Sequence, residues 1–357
     1  MTAGQSLADG AAGIALLYLE AGRRGEAQGA LEQAVADGVS IADSASLYYG
    51  APALAFVLAS AGQPGLARAQ AVAAEGTAAM TRHRLAAAHR RIDQRKQPQY
   101  SEFDLIRGLT GLGVALRRIG NHALLREVLA YLVRLTEPVN GLPGWWCPSG
   151  PSRGQPTTAG GHSNHGTAHG IAGIAALLGL TFNDGITVAG HADAITRICQ
   201  WLDIWQQQTD GSHWWPQTVT LDDLRSGKPA QHGPLRPSWC YGTPGIARAQ
   251  QLAARALGDP ARQHLAETAF SRCANDPAQT SQLTSRGLCH GTAGLLAAGR
   301  RIAADALTPM PVTSLLRLHQ QTAAGDGEPA GLLDGAAGAT LATSQIMTSW
   351  DACLLLS

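Results

Sequence analysis

"GLCHGTAGLL", residues 287–296, sets Cys289 and His290 directly before two glycines three positions apart. "WCYGTPGIA", from Trp239, repeats the arrangement: Cys240 again stands two places before a Gly-x-x-Gly. The same glycine pair precedes apolar, Ala-rich runs in "DGAAGIALL" from Asp9, "RGLTGLGVAL" from Arg107, "HGIAGIAALL" from His169 and "DGAAGATLA" from Asp334. "YGAPALAFVL" from Tyr49 keeps only the first glycine. The leading glycines are Gly10, Gly50, Gly108, Gly170, Gly242, Gly291 and Gly335, spaced by 40 to 72 residues. One unit therefore recurs with loops of different length.

Each copy reads as a turn that opens a helix, its glycines permitting close backbone approach. Between copies lie amphipathic segments of helical period, among them "GEAQGALEQAVADG", "HALLREVLAYLVRL", "HADAITRICQWLDIW", "DPARQHLAETAF" and "VTSLLRLHQQ". Strand-like alternation is nearly absent. The unit is an inner apolar helix followed by an outer amphipathic one, with seven inner segments and six clear outer ones. Neither end of the chain looks like a polar cap, which favours a closed ring over an open solenoid. The expected fold is all-α, a seven-fold α/α toroid, with residues 1–357 forming one domain.

The composition is consistent with this. Apolar residues make up 45% of the 357, enough for a large core, and aromatics only 5%, so small residues bring the helices close. A formal charge of +1 gives no global field for nucleic acid. No apolar run approaches the ~20 residues of a membrane span, and no signal peptide is visible, which points to the cytosol. Residues 82–96, "RHRLAAAHRRIDQRK", carry six Lys/Arg against one Asp. They read as a solvated face or as a patch for an acidic peptide or partner.

In a ring of like units, equivalent positions lie on one circle. The residues just before the leading glycines are Asp9, Tyr49, Arg107, His169, Tyr241, His290 and Asp334, all polar or ionisable. They should converge at one mouth of the barrel. One place earlier stand Ala8, Tyr48, Ile106, Ala168, Cys240, Cys289 and Leu333, so both cysteines hold one slot in neighbouring units. Cys240, Cys289 and His290 make a Cys₂His set, and zinc favours such donors with a fourth position open for catalysis. Neighbouring side chains on a helix diverge by about 100°, so Cys289 and His290 share an ion only in the turn before it. Two buried cysteines and a capping histidine are the competing account.

Two thiolates cancel the charge of Zn²⁺, which suits activation of a substrate thiol better than polarisation of a carbonyl. Addition of that thiol to an activated alkene produces an enolate that must be protonated. His169 is the candidate general acid, with Asp104 in "SEFDLIRG" to orient it. Arg236 and Tyr241 flank Cys240 and are placed to stabilise the enolate oxygen. Each has a plainer reading: His169 and Asp104 as caps, Arg236 in a surface ion pair, Tyr241 in packing. His162 and His165 read as loop contacts before ligands. Cys147, Cys199, Cys273 and Cys353 read as packing residues. The tryptophan pairs of "LPGWWCPSGP" and "DGSHWWPQ" either close gaps between outer helices or edge a peptide groove.

"SLADGAAGIALL", "EFDLIRGLTGLG", "PGWW", "AHGIAGI", "SWCYGTPGIARA", "CHGTAGLL", "GLLDGAAGA" and "WDACLLL" resemble the lanthionine synthetase C (LanC) cyclases from about Ser6 to Ser357. The resemblance implies an α/α toroid with one zinc on Cys240, Cys289 and His290. It implies Michael addition of peptide cysteines to dehydroalanine or dehydrobutyrine, giving lanthionine and methyllanthionine. The family's acid/base histidine and its aspartate fall on His169 and Asp104, and its arginine and tyrosine on Arg236 and Tyr241. The implied partners are a dehydrated precursor peptide with leader and core, a separate dehydratase and an exporter, in the cytoplasm or in a membrane-associated biosynthetic complex.

The chain departs from the family by lacking an outer helix before the first repeat: Met1 lies nine residues before Gly10. A shortened start or an open outer slot is expected, bearing on stability and not on chemistry. The rival functions are glutathione addition by a LanC-like enzyme, prenyl transfer to a peptide cysteine, and a peptide-binding scaffold with structural zinc. Prenyl transfer calls for a carboxylate ligand, and a structural site calls for a fourth protein ligand. Neither is evident.

Overall fold

The computed structural model describes residues 3–61, 64–149 and 158–357. Every repeat opens a helix where the glycines predict one. The inner helices are α1 (Ala11–Glu20), α3 (Ala51–Ala61), α6 (Leu109–Ile119), α8 (Ile171–Asn183), α11 (Thr243–Leu257), α14 (Thr292–Asp305) and α16 (Ala336–Thr343). The outer ones are α2 (Arg24–Val35), α4 (Ala67–Asp93), α7 (His122–Leu135), α9 (His191–Trp205), α12 (Pro260–Asn275) and α15 (Thr313–Gln321). Each inner helix packs on the next, and α16 packs on α1, so the ring is closed. The connections hold features the repeat does not predict. These are three short helices, α5 (Tyr100–Phe103), α10 (Leu221–Ser226) and α13 (Pro277–Thr280), and four three-residue strands. β1 (His162–Asn164) pairs antiparallel with β4 (Thr218–Thr220), and β2 (Gln207–Thr209) with β3 (Ser212–Trp214).

The second glycine of each pair has a steric cause. A Cβ on Gly13, Gly111, Gly173, Gly245, Gly294 or Gly338 would come closer than 3.0 Å to the carbonyl oxygen six residues earlier. Those carbonyls belong to Leu7, Leu105, Thr167, Trp239, Leu288 and Leu332, in the turn on which the helix start rests. The outer helices follow ordinary amphipathic logic. α7 buries Leu124, Leu125, Val128, Leu129, Leu132 and Leu135, one stripe of the helix, and Asn121 caps it through the Leu124 N–H.

The turns are joined directly to one another. Leu7 N donates to Tyr48 O at 3.0 Å, Leu105 N to Ala168 O at 3.1 Å and Thr167 N to Cys240 O at 2.9 Å. Cys240 N donates to Cys289 O at 3.2 Å, Cys289 N to Leu333 O at 2.9 Å and Leu333 N to Ala8 O at 3.0 Å. All these acceptors occupy the slot two places before a leading glycine. Six of the seven junctions are thus closed by main-chain bonds running the same way around the ring. Between the second and third units, Arg84 of α4 supplies the link, donating to Asp43 O, Ala45 O and Arg107 O. That assigns part of the basic stretch: Arg84 is a clamp, Arg91 pairs with Glu102 at 2.8 Å, and Arg82, His83, Arg90, Arg95 and Lys96 remain exposed.

No outer helix follows α16 among the described residues. α16 has eight residues, and its exposed positions include Thr340 and Thr343, whose hydroxyls bond to helix carbonyls. The centre of the ring is filled by the C-terminal tail. Tyr48 Oη donates to Cys353 O at 2.8 Å, Trp239 Nε1 to Leu354 O at 2.9 Å, and Arg248 Nη2 to Leu356 O at 2.7 Å. Arg301 grips the fully buried Asp351 at 2.5 Å. The tail therefore contacts several units at once and plugs the barrel. None of the described helices is long and apolar enough to cross a membrane.

Candidate metal centre and its surroundings

The seven residues preceding the leading glycines lie at one mouth, as the repeat predicts. Asp9, Arg107 and Asp334 are exposed, and Tyr49, His169, Tyr241 and His290 are half-buried. Within this circle Cys240 Sγ, Cys289 Sγ and a ring nitrogen of His290 all lie within 4.8 Å of one another. No other trio of His, Cys, Asp or Glu among the described residues comes together in this way. Cys289 and His290 reach one point because they sit in the turn before α14. Cys240 is fixed beside them by the bond from its own N–H to Cys289 O.

The donor set fits zinc. A tetrahedral ion about 2.3 Å from sulfur and about 2.0 Å from nitrogen holds its donors within roughly 4 Å of one another, close to the spacing present. Hydrogen bonding with Cys289, helped by Ser238 and by the charges of Arg236 and His169, brings Cys240 down to about 7 against the cost of its burial. Cys289 moves up, because its partner holds the first negative charge and burial adds to the penalty. Cys147, Cys199, Cys273 and Cys353 are buried, and burial pushes their thiols up, Cys199 to about 11 and Cys273 to about 12. Asp334 Oδ1 lies 3.5 Å from His290 Nδ1.

His169 stands one unit away. Its Nδ1 is 2.6 Å from Asp104 Oδ2. Asp104 is fully buried, and its other oxygen accepts the N–H groups of Arg107 and Gly108, both at 2.7 Å. Asp104 is not the N-cap of α6, which is Gly108; its Oδ1 instead braces the turn before that helix, and its Oδ2 contacts the imidazole. The Tyr241 ring lies 6.1 Å from that imidazole, and burial raises its phenol to about 12. Arg236 is exposed and has no carboxylate within ion-pair distance among the described residues. With Gln217, Leu235, Ser238, Cys240, Tyr241 and Gln282 it lines a cavity of about 550 Å³.

The structure adds residues that sequence reasoning missed. Tyr100 packs edge-on against His169 at 5.6 Å, Ser238 Oγ lies 3.6 Å from Cys240 Sγ, and Asn164 Nδ2 donates to Tyr241 Oη at 3.3 Å. Asn164 was within sight, between His162 and His165 in "GGHSNHGTAHG", but an asparagine in a polar loop carries no signal of its own. His165 is a loop contact: Nδ1 meets Pro216 O at 2.9 Å, and Nε2 accepts from Trp201 Nε1 at 2.9 Å. Neither nitrogen is left for a metal, and burial lowers its pKa to about 4. His162 is buried in β1 and stands outside the metal group. Trp145, Trp146, Trp214 and Trp215 are buried with every indole N–H bonded, which makes them packing residues. The last two residues of "LPGWWCPSGP", 150–151, lie outside the described residues.

Comparison with known proteins bears on the family and the fold. The family model described as "Lanthionine synthetase C-like protein" matches residues 2–354. The nisin biosynthesis protein NisC of Lactococcus lactis subsp. lactis is 25% identical over 206 residues, 55% of this chain and 48% of that protein. The match thus spans about half the length of that curated relative. The solved structure of nisin cyclase superposes with a TM-score of 0.79 at 21% identity, covering 100% of this chain and 93% of the other. That likeness shows the α/α toroid fold.

Proposed function

The chain belongs to the lanthionine synthetase C-like family, and on that footing we propose that it is a zinc-dependent lanthipeptide cyclase. The observation that carries this function is the convergence of three soft donors, Cys240, Cys289 and His290, beside the cavity that Arg236 and Tyr241 line. The substrate is a precursor peptide of leader and core whose serines and threonines a separate dehydratase has already converted to dehydroalanine and dehydrobutyrine.

The reaction balances without a co-reactant. A peptide thiol loses its proton, its sulfur bonds to Cβ of the dehydro residue, the alkene π pair moves toward the adjoining carbonyl, and Cα then takes a proton. Zinc held by Cys240, Cys289 and His290 would supply the acidity that ionises the thiol, while two thiolate ligands keep its sulfur electron-rich. Arg236 and the un-ionised phenol of Tyr241 meet the negative charge developing on the carbonyl oxygen. His169 delivers the proton. Its Nδ1 is committed to Asp104, so Nε2 is the nitrogen that faces the reaction. The buried carboxylate fixes the tautomer and faces the ring, and its bonds to Arg107 N and Gly108 N keep it in place.

The test incubates the protein with a dehydrated precursor and then adds a thiol-alkylating probe. Loss of free thiols at unchanged peptide mass supports cyclisation. A mass gain of one glutathione per site, when glutathione is supplied, identifies the LanC-like alternative instead. Thiols left unchanged across several dehydrated precursors, with the metal site filled, overturn the proposal.

A further inference from the structure

Asn164 ends β1, five residues before His169, and is 2% exposed. Its Oδ1 accepts the backbone N–H of Gly166 at 2.9 Å. That bond decides which way the amide points, because an NH₂ in the same place would confront another donor. Nδ2 must therefore face the Tyr241 hydroxyl, 3.3 Å away. The phenol oxygen accepts this bond, so its own O–H is directed elsewhere. The open side of Tyr241 is the cavity that it shares with Arg236 and Cys240. The ring has little freedom to turn back. A Cβ on Gly166 would stand 2.6 Å from Tyr241 Cδ1 and 2.6 Å from Cys240 O, so the phenol lies flat on a backbone that has no side chain.

We propose that Asn164 is a positioning residue that makes Tyr241 a one-way donor: its amide occupies the phenol oxygen as an acceptor and leaves the hydroxyl proton for the substrate's carbonyl oxygen in the cavity. This rests on the cyclase function proposed above. It adds a requirement beyond that function. A tyrosine that merely packs at the site is indifferent to the polarity of its neighbour, whereas a committed donor is not.

Two experiments test it, and the first does not depend on activity. Neutron diffraction from hydrogen–deuterium exchanged wild-type crystals should place the Tyr241 deuterium on the cavity side, with deuterium on Asn164 Nδ2 facing the phenol. A Tyr241 deuterium on the line to Asn164 overturns the assignment, whether or not the protein closes rings. The second uses Asn164→Asp, which still accepts from Gly166 N–H but presents an acceptor to the phenol and turns its proton away from substrate. Its kcat should fall roughly 10²-fold, the scale for losing one oxyanion donor, with KM and zinc content unchanged, and Tyr241→Phe should fall equally. Placed in the Tyr241→Phe background, Asn164→Asp should cost nothing further. A further drop of comparable size there, or wild-type kcat in the single variant, refutes the proposal. Absence of ring closure by the wild type would remove the cyclase function, leaving the neutron result to decide the hydrogen-bond direction.

Discussion

Replacing Asp104 separates its two jobs. In Asp104→Asn the retained Oδ1 still accepts from Arg107 N and Gly108 N, both 2.7 Å away, so the turn before α6 keeps its brace. What changes is the contact with His169. Oδ2, 2.6 Å from Nδ1, becomes an NH₂ donor, and the imidazole must respond by accepting at Nδ1 and carrying its proton at Nε2. The ring can then still donate once, but it loses the negative partner that supports its charged form. A charge-assisted hydrogen bond is exchanged for a neutral one, a loss of roughly 1 kcal/mol of stability, and general acid–base assistance of about 10²–10⁴-fold in rate goes with it. Asp104→Ala loses three side-chain bonds at a fully buried position and leaves Arg107 N–H unpaired, while Gly108 N–H keeps its bond to Asp104 O at 3.1 Å. Its stability should fall by roughly 3–6 kcal/mol, taking each lost bond at about 1–2. The assays are urea unfolding and single-turnover ring closure on a dehydrated peptide. The expected pattern is a folded, zinc-loaded, slow Asn variant beside a strongly destabilised Ala variant. An Asn variant closing rings within threefold of wild type would refute the role given to the dyad, and equal stability losses in the two would refute the bracing argument.

Further outcomes follow from the same contacts. Cys289→Ala should purify with less than a tenth of the zinc of wild type by elemental analysis, and full stoichiometry would sink the ligand assignment. Chelation of the wild type should leave the helical signal and the urea midpoint nearly unchanged while abolishing ring closure; unfolding on chelation would contradict a preformed site. His165 carries a pKa lowered from 6.5 to about 4 by burial, so between those values the unfolded chain binds a proton that the folded one refuses. Stability conferred by the neutral ring is therefore complete above about pH 6.5 and falls as pH drops toward 4, by roughly 3 kcal/mol in all. His165→Asn should flatten the pH dependence of unfolding in that window by about one proton. Gly294→Ala puts a Cβ within 3.0 Å of Leu288 O and should cost roughly 2–4 kcal/mol. Gly29→Ala, on α2 with open space around it, should instead stabilise by about 0.5–1 kcal/mol.

The ring was legible in the sequence because a steric demand is written in one letter. Only glycine tolerates a carbonyl where Leu288 O meets Gly294, and the same demand recurs in five other units, so the register of the turns can be read from their spacing. Register then placed Cys240 beside Cys289 and put His169 and Tyr241 at the same mouth. The contacts that refine the site left no such mark. Asn164 meets Tyr241 across 77 residues, and Arg84 reaches the turns of two units from an outer helix. Each is an ordinary polar residue whose partner is chosen by ring closure and not by local spacing. The tail from Trp350 was equally opaque. It has the apolar letters of a core segment but no helical period, and its place in the barrel follows from Arg248, Arg301 and Trp239 reaching inward to its carbonyls and to Asp351.

The main-chain ring also holds the three candidate metal ligands on a frame that does not depend on an ion. In small zinc domains the metal supplies the folding energy, since nothing else holds the ligands together. Here Cys240 is tied to Cys289 by a backbone bond, Cys289 to Leu333 by the next, and Leu333 to Ala8 by another. The ligand turns are therefore held in place by the same bonds that close the barrel. On the proposed function, a metal would add charge and chemistry to positions already set, and the reacting groups would need little reorganisation when a substrate thiol arrives. The same economy lets the units diverge. A residue one place before a leading glycine can become Asp, Tyr, Arg or His without disturbing the turn, because its side chain points to the mouth and its neighbour's backbone carries the load. The chemistry of units four to six is thus a set of side-chain choices made on a scaffold indifferent to them, and this is why Asn164→Asp and Asp104→Asn should alter rate far more than fold.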